Sequence, residues 1–324
     1  MFKATIEGMK GLTDIPGVKV GHASDFEALT GCTVILCEQG AVAGCDIRGG
    51  ASGTEEIDVM SPGHITPHVH AVVLAGGSAF GLEAASGVRR FLEHKGIGFA
   101  TGAAFVPIVP CAILYDLGIG KANVRPTREM GEAAAAAATA VAVPEGSVGA
   151  GTGATVGKAL GMKNAMKSGI GTYTVELPGG VLVSALAAVN AAGDVLDPKT
   201  GAILAGTRKQ PDSREFANST ELMKRGRAPG ALRKNTTLAV VATNARLDKV
   251  EAGRVAQAGH HGFVRAISPV HTSVDGDLCI ALSCGALAAS PDAVGVAAGE
   301  AVAQAIVRAV KTAKSLGGVP GLAG

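Results

Sequence analysis

Short apolar runs that end in glycine clusters alternate along this chain with longer alanine-rich stretches. Residues 33–37 (TVILC) and 71–74 (AVVL) are runs of the first kind, and their β-branched residues are typical of buried strands. Residues 128–143 and 291–314 are of the second kind, and their alanines let a helix lie close to a sheet or to another helix. The alternation predicts a layered α/β fold in which much of the glycine and alanine serves packing.

Composition limits what can fill the core and what the surface can bind. The 324 residues include 47 Gly but only 2 Tyr and no Trp, so Ala, Val, Leu and Ile must build the core. Aromatic platforms that stack bases or sugars are therefore not expected. The 29 Lys and Arg nearly balance the 27 Asp and Glu, and no run of basic residues forms a phosphate-binding face. We expect no nucleic-acid partner.

The sequence favours a reducing, cytoplasmic setting. Its first eleven residues mix charged and apolar side chains and contain no secretory signal. The longest alanine-rich run, residues 133–143, is shorter than the ~20 residues of a membrane-spanning helix, so no membrane partner is expected. The cysteines lack CxxC spacing and are predicted to be buried, reduced thiols. They are Cys32, Cys37, Cys45, Cys111, Cys279 and Cys284.

Two segments depart from the α/β pattern. Residues 149–158 are glycine-rich, but their spacing does not match a phosphate-binding loop, and no strand precedes them as a dinucleotide-binding turn requires. They are predicted to form a tight turn that places Lys158. Residues 206–235 carry many Lys and Arg among Pro, Gly and Ser, which predicts a solvated basic linker. An apolar strand, residues 238–242, follows almost immediately.

Clusters of histidine and aspartate raise two metal hypotheses, and neither pattern is complete. His64, His68 and His70 have a ligand-like spacing but lack the cysteine or carboxylate of a structural zinc site. Asp275 and Asp277 could begin a calcium loop, but its later ligands are missing. On an extended chain two residues this far apart point the same way, so both carboxylates can reach one site. We expect neither a metal nor a cofactor.

The linker meets the apolar strand at Asn235-Thr236-Thr237, a junction that suggests chemistry. It fits a glycosylation sequon, which is accidental in a chain without a signal peptide. It also fits the self-cleavage site of an N-terminal nucleophile hydrolase. In such a site a threonine hydroxyl attacks the preceding carbonyl, water resolves the ester, and the freed α-amine, with a pKa near ~7.7, becomes the base for that hydroxyl. The junction alone does not decide between self-cleavage and an ordinary boundary between a linker and a strand.

Six stretches, in order along the chain, resemble the DmpA-type aminopeptidase family. They are residues 11–22 (GLTDIPGVKVGH), 48–50 (RGG), 74–85 (LAGGSAFGLEAA), 235–243 (NTTLAVVAT), 268–272 (SPVHT) and 275–277 (DGD). The Asn-Thr junction and the Asp-Gly-Asp element are most similar to the 6-aminohexanoate (nylon) oligomer hydrolases of that family. The resemblance implies a four-layer α/β/β/α sandwich, similar in plan to the N-terminal nucleophile hydrolases, that works without a cofactor.

The resemblance also implies self-cleavage between Asn235 and Thr236 of one catalytic domain, residues 1–324. The products would be an α chain of residues 1–235 and a β chain of residues 236–324, roughly 23 and 9 kDa. Both would stay in one folded unit. Such αβ units are expected to assemble into a homotetramer or a larger ring, and their partner is a small amide or peptide substrate.

Each site residue receives a role from the resemblance. Thr236 matches the nucleophile, and Lys158 matches a lysine that orients the hydroxyl and keeps the amine neutral. Asn190 matches a side-chain amide that steadies the tetrahedral oxyanion. Asp275 and Asp277 match the acidic pair that orients the amine and hydroxyl of the nucleophile, and neither is expected to bind a metal.

The chain departs from the serine-nucleophile relatives of the family. Those relatives have a Ser and a Glu around the acidic pair and a Tyr on the α chain, whereas both acidic positions here are Asp. Tyr115 cannot be assigned to that tyrosine from sequence, and Thr237 is expected to assist cleavage. The substrate therefore stays open among amino-acid amides, short peptides, β-peptides and nylon-type oligomers. Amide hydrolysis is the leading hypothesis; the alternatives are acyl transfer to an amine, as in ornithine acetyltransferase, and a non-catalytic relative.

Overall fold

The computed structural model describes Gly8, residues 10–227 and residues 235–323. Sixteen strands lie in this part of the chain: β1 (Val18–Asp25), β2 (Thr30–Ile47), β3 (Thr54–Glu55), β4 (Val69–Ala75), β5 (Phe99–Ala100), β6 (Phe105–Val106), β7 (Cys111–Ile113), β8 (Thr155–Val156), β9 (Met166–Lys167), β10 (Ile170–Leu177), β11 (Val181–Asn190), β12 (Asp194–Leu196), β13 (Ile203–Ala205), β14 (Thr236–Ala245), β15 (Ile267–Ser268) and β16 (Leu278–Leu287). Five α-helices accompany them: α1 (Ala84–His94), α2 (Arg128–Ala136), α3 (Ser219–Lys224), α4 (Lys249–Ala266) and α5 (Pro291–Lys311).

Nine of these strands form a hydrogen-bonded network that the long strand β2 divides into two sheets. The strand order is β10-β11-β14-β16-β2-β4-β7-β3, and β1 also pairs with β2. The first half of β2 pairs with β1 and β4, and its second half pairs with β16. A register shift between Leu36 and Ala41 separates the two halves, as a β-bulge does where a strand changes direction. The pairs β14–β16 and β4–β7 are parallel, and the others are antiparallel.

Alternating side chains along β14 serve two apolar layers. Ala239 and Val241 pack with α4 and α5, whereas Leu238, Val240 and Ala242 pack with residues of the other sheet. Because successive residues of a strand point to opposite faces, one strand contributes to both cores. The sheet of β10, β11, β14 and β16 thus lies between a helix layer and the second sheet.

The second sheet also packs against helices on one face and against the first sheet on the other. Val34 and Val73 pack with α1 and α2, and Ile35 and Val72 pack with the first sheet. The layers therefore follow the order helices, sheet, sheet, helices. The predicted four-layer α/β/β/α sandwich is confirmed.

Glycines at the layer boundaries bring helices and strands into close contact. A Cβ atom on Gly21 would lie 2.0 Å from the carbonyl oxygen of Ala134 in α2. One on Gly171 would lie 2.0 Å from the carbonyl oxygen of Ala305 in α5. A larger residue at either position would push a helix off the sheet. The prediction that glycine and alanine serve packing is confirmed at these contacts.

Both predicted alanine-rich helices form, but α2 is shorter than predicted. After Ala136 the chain leaves the helix, and Thr139 forms a β-bridge with Val20 of β1. Helix α5 ends at Lys311, close to the predicted end. By length and hydropathy α5 is capable of crossing a membrane, but 72% of its apolar window is buried inside the protein, as in a core helix. Helix α4 has no counterpart among the predicted helices.

The six cysteines belong to the packing of the sheets. All are free thiols; Cys45 and Cys284 are half-buried and the other four are buried. Burial raises the pKa of Cys32 to about 12, so its thiol stays protonated. The prediction of reduced thiols is confirmed, and that of full burial holds for four of the six.

In the described part of the predicted basic linker, residues 206–227, the main chain is anchored while most of the basic side chains are exposed. The buried carboxylate of Asp194 accepts hydrogen bonds from the main-chain N–H of Thr207 (2.8 Å) and from the N–H and hydroxyl of Ser219 (2.6 Å each). Arg208 is also buried. The exposed side chains of Lys209, Arg214, Lys224, Arg225 and Arg227 agree with the predicted solvated segment, but one buried acid fixes its main chain at Thr207 and Ser219. Residues 228–234 lie outside the described residues.

Candidate active site

The end of β11 and the start of β14 bring two predicted site residues face to face. Asn190 and Thr236 are direct partners in the antiparallel ladder, so their side chains lie on the same face. By the alternation along β14, Thr236 shares the face of Leu238, which is turned toward the space between the sheets. Both residues are buried, with Asn190 0% and Thr236 2% exposed.

The glycine-rich turn places Lys158 at this point, as the sequence predicts. The main chain of residues 157–158 donates hydrogen bonds to the carbonyls of residues 192–193, just beyond β11. Gly157 has a φ of 68°, and a Cβ atom there would lie 2.0 Å from the carbonyl carbon of Gly206, so this turn requires glycine. Nζ of Lys158 then donates to the main-chain oxygen (3.1 Å) and to Oδ1 (2.7 Å) of Asn190.

The charge of Lys158 is finely balanced. Burial lowers the pKa of its ammonium group to about 7, although the nearby carboxylates of Asp275, Asp116 and Asp277 act in the opposite direction. A lysine with a pKa near neutrality can hold or release a proton at working pH. Lys158 therefore supplies either a cation or a base at the start of β14.

The lowered pKa of Lys158 predicts how stability depends on pH. Between about pH 7 and 10.5 the unfolded chain binds a proton at this lysine that the folded protein does not, so the free energy of unfolding rises with pH. Urea unfolding at pH 8 and pH 9 measures the slope. We expect Lys158→Met to reduce it by about 1.4 kcal/mol per pH unit. The exposed Lys199, changed to Met, is the control and leaves the slope unchanged; equal slopes in Lys158→Met and wild type would contradict the prediction.

Hydrogen bonds on both sides fix the side-chain amide of Asn190. Oδ1 accepts from Lys158 and from the main-chain N–H of Thr155 (3.1 Å), and Nδ2 donates to the main-chain carbonyl of Tyr115 (2.9 Å). The partners define which atom is the donor. The hydrogen bond to its carbonyl places Tyr115, which is half-buried after β7, beside the site. The sequence alone does not predict this position.

Protein donors engage both members of the acidic pair. Oδ1 of Asp277 accepts from the main-chain N–H of Thr237 (2.7 Å), directly after the predicted nucleophile. Oδ2 of Asp275 accepts from the main-chain N–H (3.0 Å) and hydroxyl of Thr272. Burial, together with the charge of Asp277, raises the pKa of Asp275. The pair holds the loop before β16 against the first residues of β14.

The peptide bond between Asn235 and Thr236 lies inside this site. The Thr236 hydroxyl donates to the carbonyl oxygen of Asn235 at 2.5 Å, and the main-chain N–H of Gly276 donates to the same oxygen at 2.9 Å. Asn235 is buried and forms a parallel β-bridge with Asp275. A hydroxyl and an N–H donor thus lie beside one buried carbonyl, so a nucleophile and a group that can stabilise an oxyanion meet at the same peptide bond.

Two of the three histidines of the zinc hypothesis, His64 and His70, hold loops instead. Nδ1 of His70 accepts from the main-chain N–H of Ile108 (3.2 Å), and Nδ1 of His64 accepts from that of Thr66 (3.1 Å). Across the described residues, no group of three or more His, Cys, Asp or Glu side chains is placed to hold a metal ion.

A second buried lysine, Lys167 at the end of β9, was not predicted from the sequence. Its Nζ donates to the carbonyls of Gly151 (3.1 Å), Ala154 (2.7 Å) and Ser168 (2.7 Å), which clamps the turn that leads to Lys158. Burial lowers the pKa of Lys167 to about 7, while three carbonyl acceptors suit the three N–H donors of an ammonium group. No sequence signal distinguishes this lysine from one on the surface.

Asp116, next to Tyr115, is a second missed residue. Its carboxylate accepts from the hydroxyl of Thr30 (2.7 Å) and from the main-chain N–H of Gly77 (2.7 Å). Burial raises its pKa. Asp116 connects β2 and the glycine turn after β4 to the loop that presents Tyr115, so it supports the second-sheet side of the site.

Comparison with solved structures identifies the fold. The L-aminopeptidase D-Ala-esterase/amidase from Ochrobactrum anthropi, described as a variant of the Ntn hydrolase fold, has a TM-score of 0.73 at 20% identity, covering 98% of this chain and 91% of its own. A Burkholderia sp. beta-aminopeptidase has a TM-score of 0.69 at 22% identity, covering 99% and 94%. The chain therefore has the fold of the N-terminal nucleophile hydrolases.

Sequence comparison then identifies the family. Residues 10–323 match the model of peptidase family S58, and the chain belongs to that family. An uncharacterized aminopeptidase of Mycobacterium tuberculosis is 39% identical over 96% of each chain. A 6-aminohexanoate-oligomer endohydrolase of Kocuria sp. is 32% identical, covering 92% of this chain and 85% of its own. The predicted resemblance is confirmed, and the protein is a hydrolase of amide bonds.

Proposed function

We propose that the protein cleaves its own chain between Asn235 and Thr236 and then uses Thr236 as an N-terminal nucleophile on small amide or peptide substrates. The observation that carries this proposal is the buried Thr236 hydroxyl, 2.5 Å from the carbonyl oxygen of the bond to be cut. Membership in a family of amide-bond hydrolases supports it.

Self-cleavage follows from the groups around the Asn235 carbonyl. The Thr236 oxygen attacks the carbonyl carbon, and the Gly276 N–H, already bonded to the carbonyl oxygen, holds the oxyanion. The C–N bond then breaks, the hydroxyl proton ends on the departing nitrogen, and Asn235 is left as an ester on Thr236. Water hydrolyses the ester, which frees the carboxylate of Asn235 and the Thr236 hydroxyl.

Substrate turnover uses the same hydroxyl with a new base. The freed α-amine takes the proton of the Thr236 hydroxyl as it attacks the substrate amide. The Nδ2 group of Asn190 donates to the developing oxyanion, and the Lys158 ammonium, when charged, favours the neutral amine. Asp275 and Asp277 keep the start of β14 in place. The amine product leaves first, and water then releases the acid from Thr236.

The substrate class comes from the relatives and stays broad. The 6-aminohexanoate-oligomer endohydrolase relative supports linear amides, and the aminopeptidase relative supports amino-acid amides and short peptides. We also propose a cytoplasmic homotetramer or larger assembly of αβ units.

Intact mass under denaturing conditions tests self-cleavage without a substrate. We expect two species of roughly 23 and 9 kDa that add up to the full chain plus one water, with the smaller beginning at Thr236. Sequencing of the small chain from its N-terminus identifies the junction. A single full-length mass in the purified wild-type protein would contradict the proposal.

A further inference from the structure

Behind Asp277, two histidines form a hydrogen-bonded line that leads away from Thr236. Nδ1 of His271 lies 3.0 Å from Oδ2 of Asp277, and Nε2 of His271 lies 3.2 Å from Nδ1 of His260. Nε2 of His260 lies 3.0 Å from the main-chain oxygen of Asp46. The ring of Phe263 packs against both imidazoles, with centroid distances of 4.8 and 5.4 Å.

The contact between His260 and the main-chain oxygen of Asp46 determines where the protons of this hydrogen-bonded line lie. The main-chain oxygen of Asp46 can only accept, so Nε2 of His260 carries a proton. Burial lowers the pKa of His260 to about 4, so its ring is neutral and its Nδ1 accepts. The proton between the rings therefore belongs to Nε2 of His271. The last contact, between Nδ1 of His271 and Oδ2 of Asp277, would join two acceptors unless a further proton lies between them.

We propose that His271 is a positioning residue for Asp277 and that the two side chains share this further proton, so that together they carry no net charge. The inference rests on the proposed function, because Oδ1 of the same carboxylate holds the N–H of Thr237 beside the nucleophile. The main-chain N–H of His271 also donates to Oδ2 (3.1 Å), so Asp277 is held from three directions.

The backbone conformation of His271 agrees with a fixed position of its imidazole ring. Its φ of 55° lies in the left-handed region, which only a few per cent of non-glycine residues adopt. Such conformations persist where surrounding contacts determine them, and they concentrate at functional sites. Here the conformation directs the main-chain N–H and the ring of one residue to the same carboxylate oxygen.

Charged groups lie on both sides of this line of hydrogen bonds. On the outer side, Oδ1 of Asp46 lies 3.4 Å from Nε2 of His260, and Asp46 forms an ion pair with Arg48. On the inner side, Asp275 and Lys158 interact electrostatically. Burial lowers the pKa of Lys158 to about 7, and the carboxylates of Asp275 and Asp116 already act on it. If Asp277 and His271 are neutral together, no further charge is added, whereas an unbalanced Asp277 would add another buried negative charge beside this one weakened cation.

His271→Asn tests the shared proton. The asparagine amide can replace Nδ1 as a donor to Asp277, but it cannot bond to His260 or carry an additional proton. The site then gains negative charge, which raises the pKa of the Thr236 α-amine. We expect the acid limb of the pH profile for acylation of Thr236 by a β-lactone probe to move up by about one pH unit, with the plateau rate changed less than about threefold.

The control is His261→Asn, on an exposed position of α4 next to His260, which leaves the profile unchanged. An unshifted profile in His271→Asn would overturn the inference. In ¹⁵N-histidine-labelled wild-type protein, we expect Nδ1 of His271 to be protonated or hydrogen-bonded at pH 7, and a free Nδ1 lone pair would also overturn it. Intact mass is read first: an uncleaved wild-type chain refutes the proposed function, while the NMR result still decides the proton.

Discussion

Replacement of Thr236 by Ala is expected to leave one chain of 32.0 kDa that neither cleaves itself nor hydrolyses amides. The hydroxyl that faces the Asn235 carbonyl is the attacking group in both reactions, so its loss removes both. Loss of a covalent nucleophile lowers turnover on the order of 10⁴-fold or more. Intact mass measures the loss of self-cleavage, and β-lactone labelling measures the loss of the reactive nucleophile.

Two variants make the Thr236→Ala result specific. Thr236→Ser keeps a hydroxyl and is expected to cleave, since serine can perform the same attack. Thr237→Val removes the neighbouring hydroxyl, which is buried without a hydrogen-bond partner in the described part of the chain, and is expected to cleave within a fewfold of the wild-type rate. That outcome would also remove the predicted role of Thr237 in cleavage. A cleaved, active Thr236→Ala protein would disprove the proposed nucleophile.

Gly276→Ala is expected to slow self-cleavage by ~10²-fold or more, so that full-length precursor accumulates. A Cβ atom at this position would lie 2.6 Å from the Thr236 hydroxyl and 2.7 Å from the main-chain oxygen of Ala51. Relief of either contact moves the hydroxyl or the N–H donor away from the Asn235 carbonyl, and displacements near 1 Å cost about this much in rate. The time course of the full-length mass after refolding measures the effect.

Gly253→Ala is the matched control for this substitution. Gly253 lies within α4, and an added Cβ meets nothing within 4 Å, so cleavage is expected at the wild-type rate. Thermal unfolding of both variants separates slow cleavage from failure to fold. Normal cleavage in a folded Gly276→Ala protein would show that the close approach of this loop is not needed for the reaction.

The layered fold and most of the predicted site residues could be read from the sequence because they have local signatures, whereas Asn190 was assigned by the family resemblance alone. Alternating strand and helix patterns predict the layers, and short ordered motifs contain Thr236, Asp275 and Asp277. The structure brings these together with Asn190 and Lys158 at the paired ends of β11 and β14. Their catalytic roles remain predictions until the variants are measured.

Contacts between distant segments explain what the sequence could not predict. Lys167 and His260 have ordinary neighbours along the chain, and only the three carbonyls around one and the histidine beside the other reveal their surroundings. The composition of residues 206–227 is typical of a solvated linker, yet one buried carboxylate, Asp194, organises it. Composition predicts average solvation and does not detect a single long-range anchor.

Strand β14 has a further consequence for the cleaved protein. Chain ends usually fray, because hydrogen bonds on one side at most restrain them. The new end at Thr236 would instead belong to an interior strand. Thr236 pairs with β11 on one side, and from Leu238 onward the strand also pairs with β16 on the other. The N–H of Thr237 donates to Asp277. If the chain is cut as proposed, the free amine would be held as firmly as a core residue, and it would need no ordering when a substrate arrives.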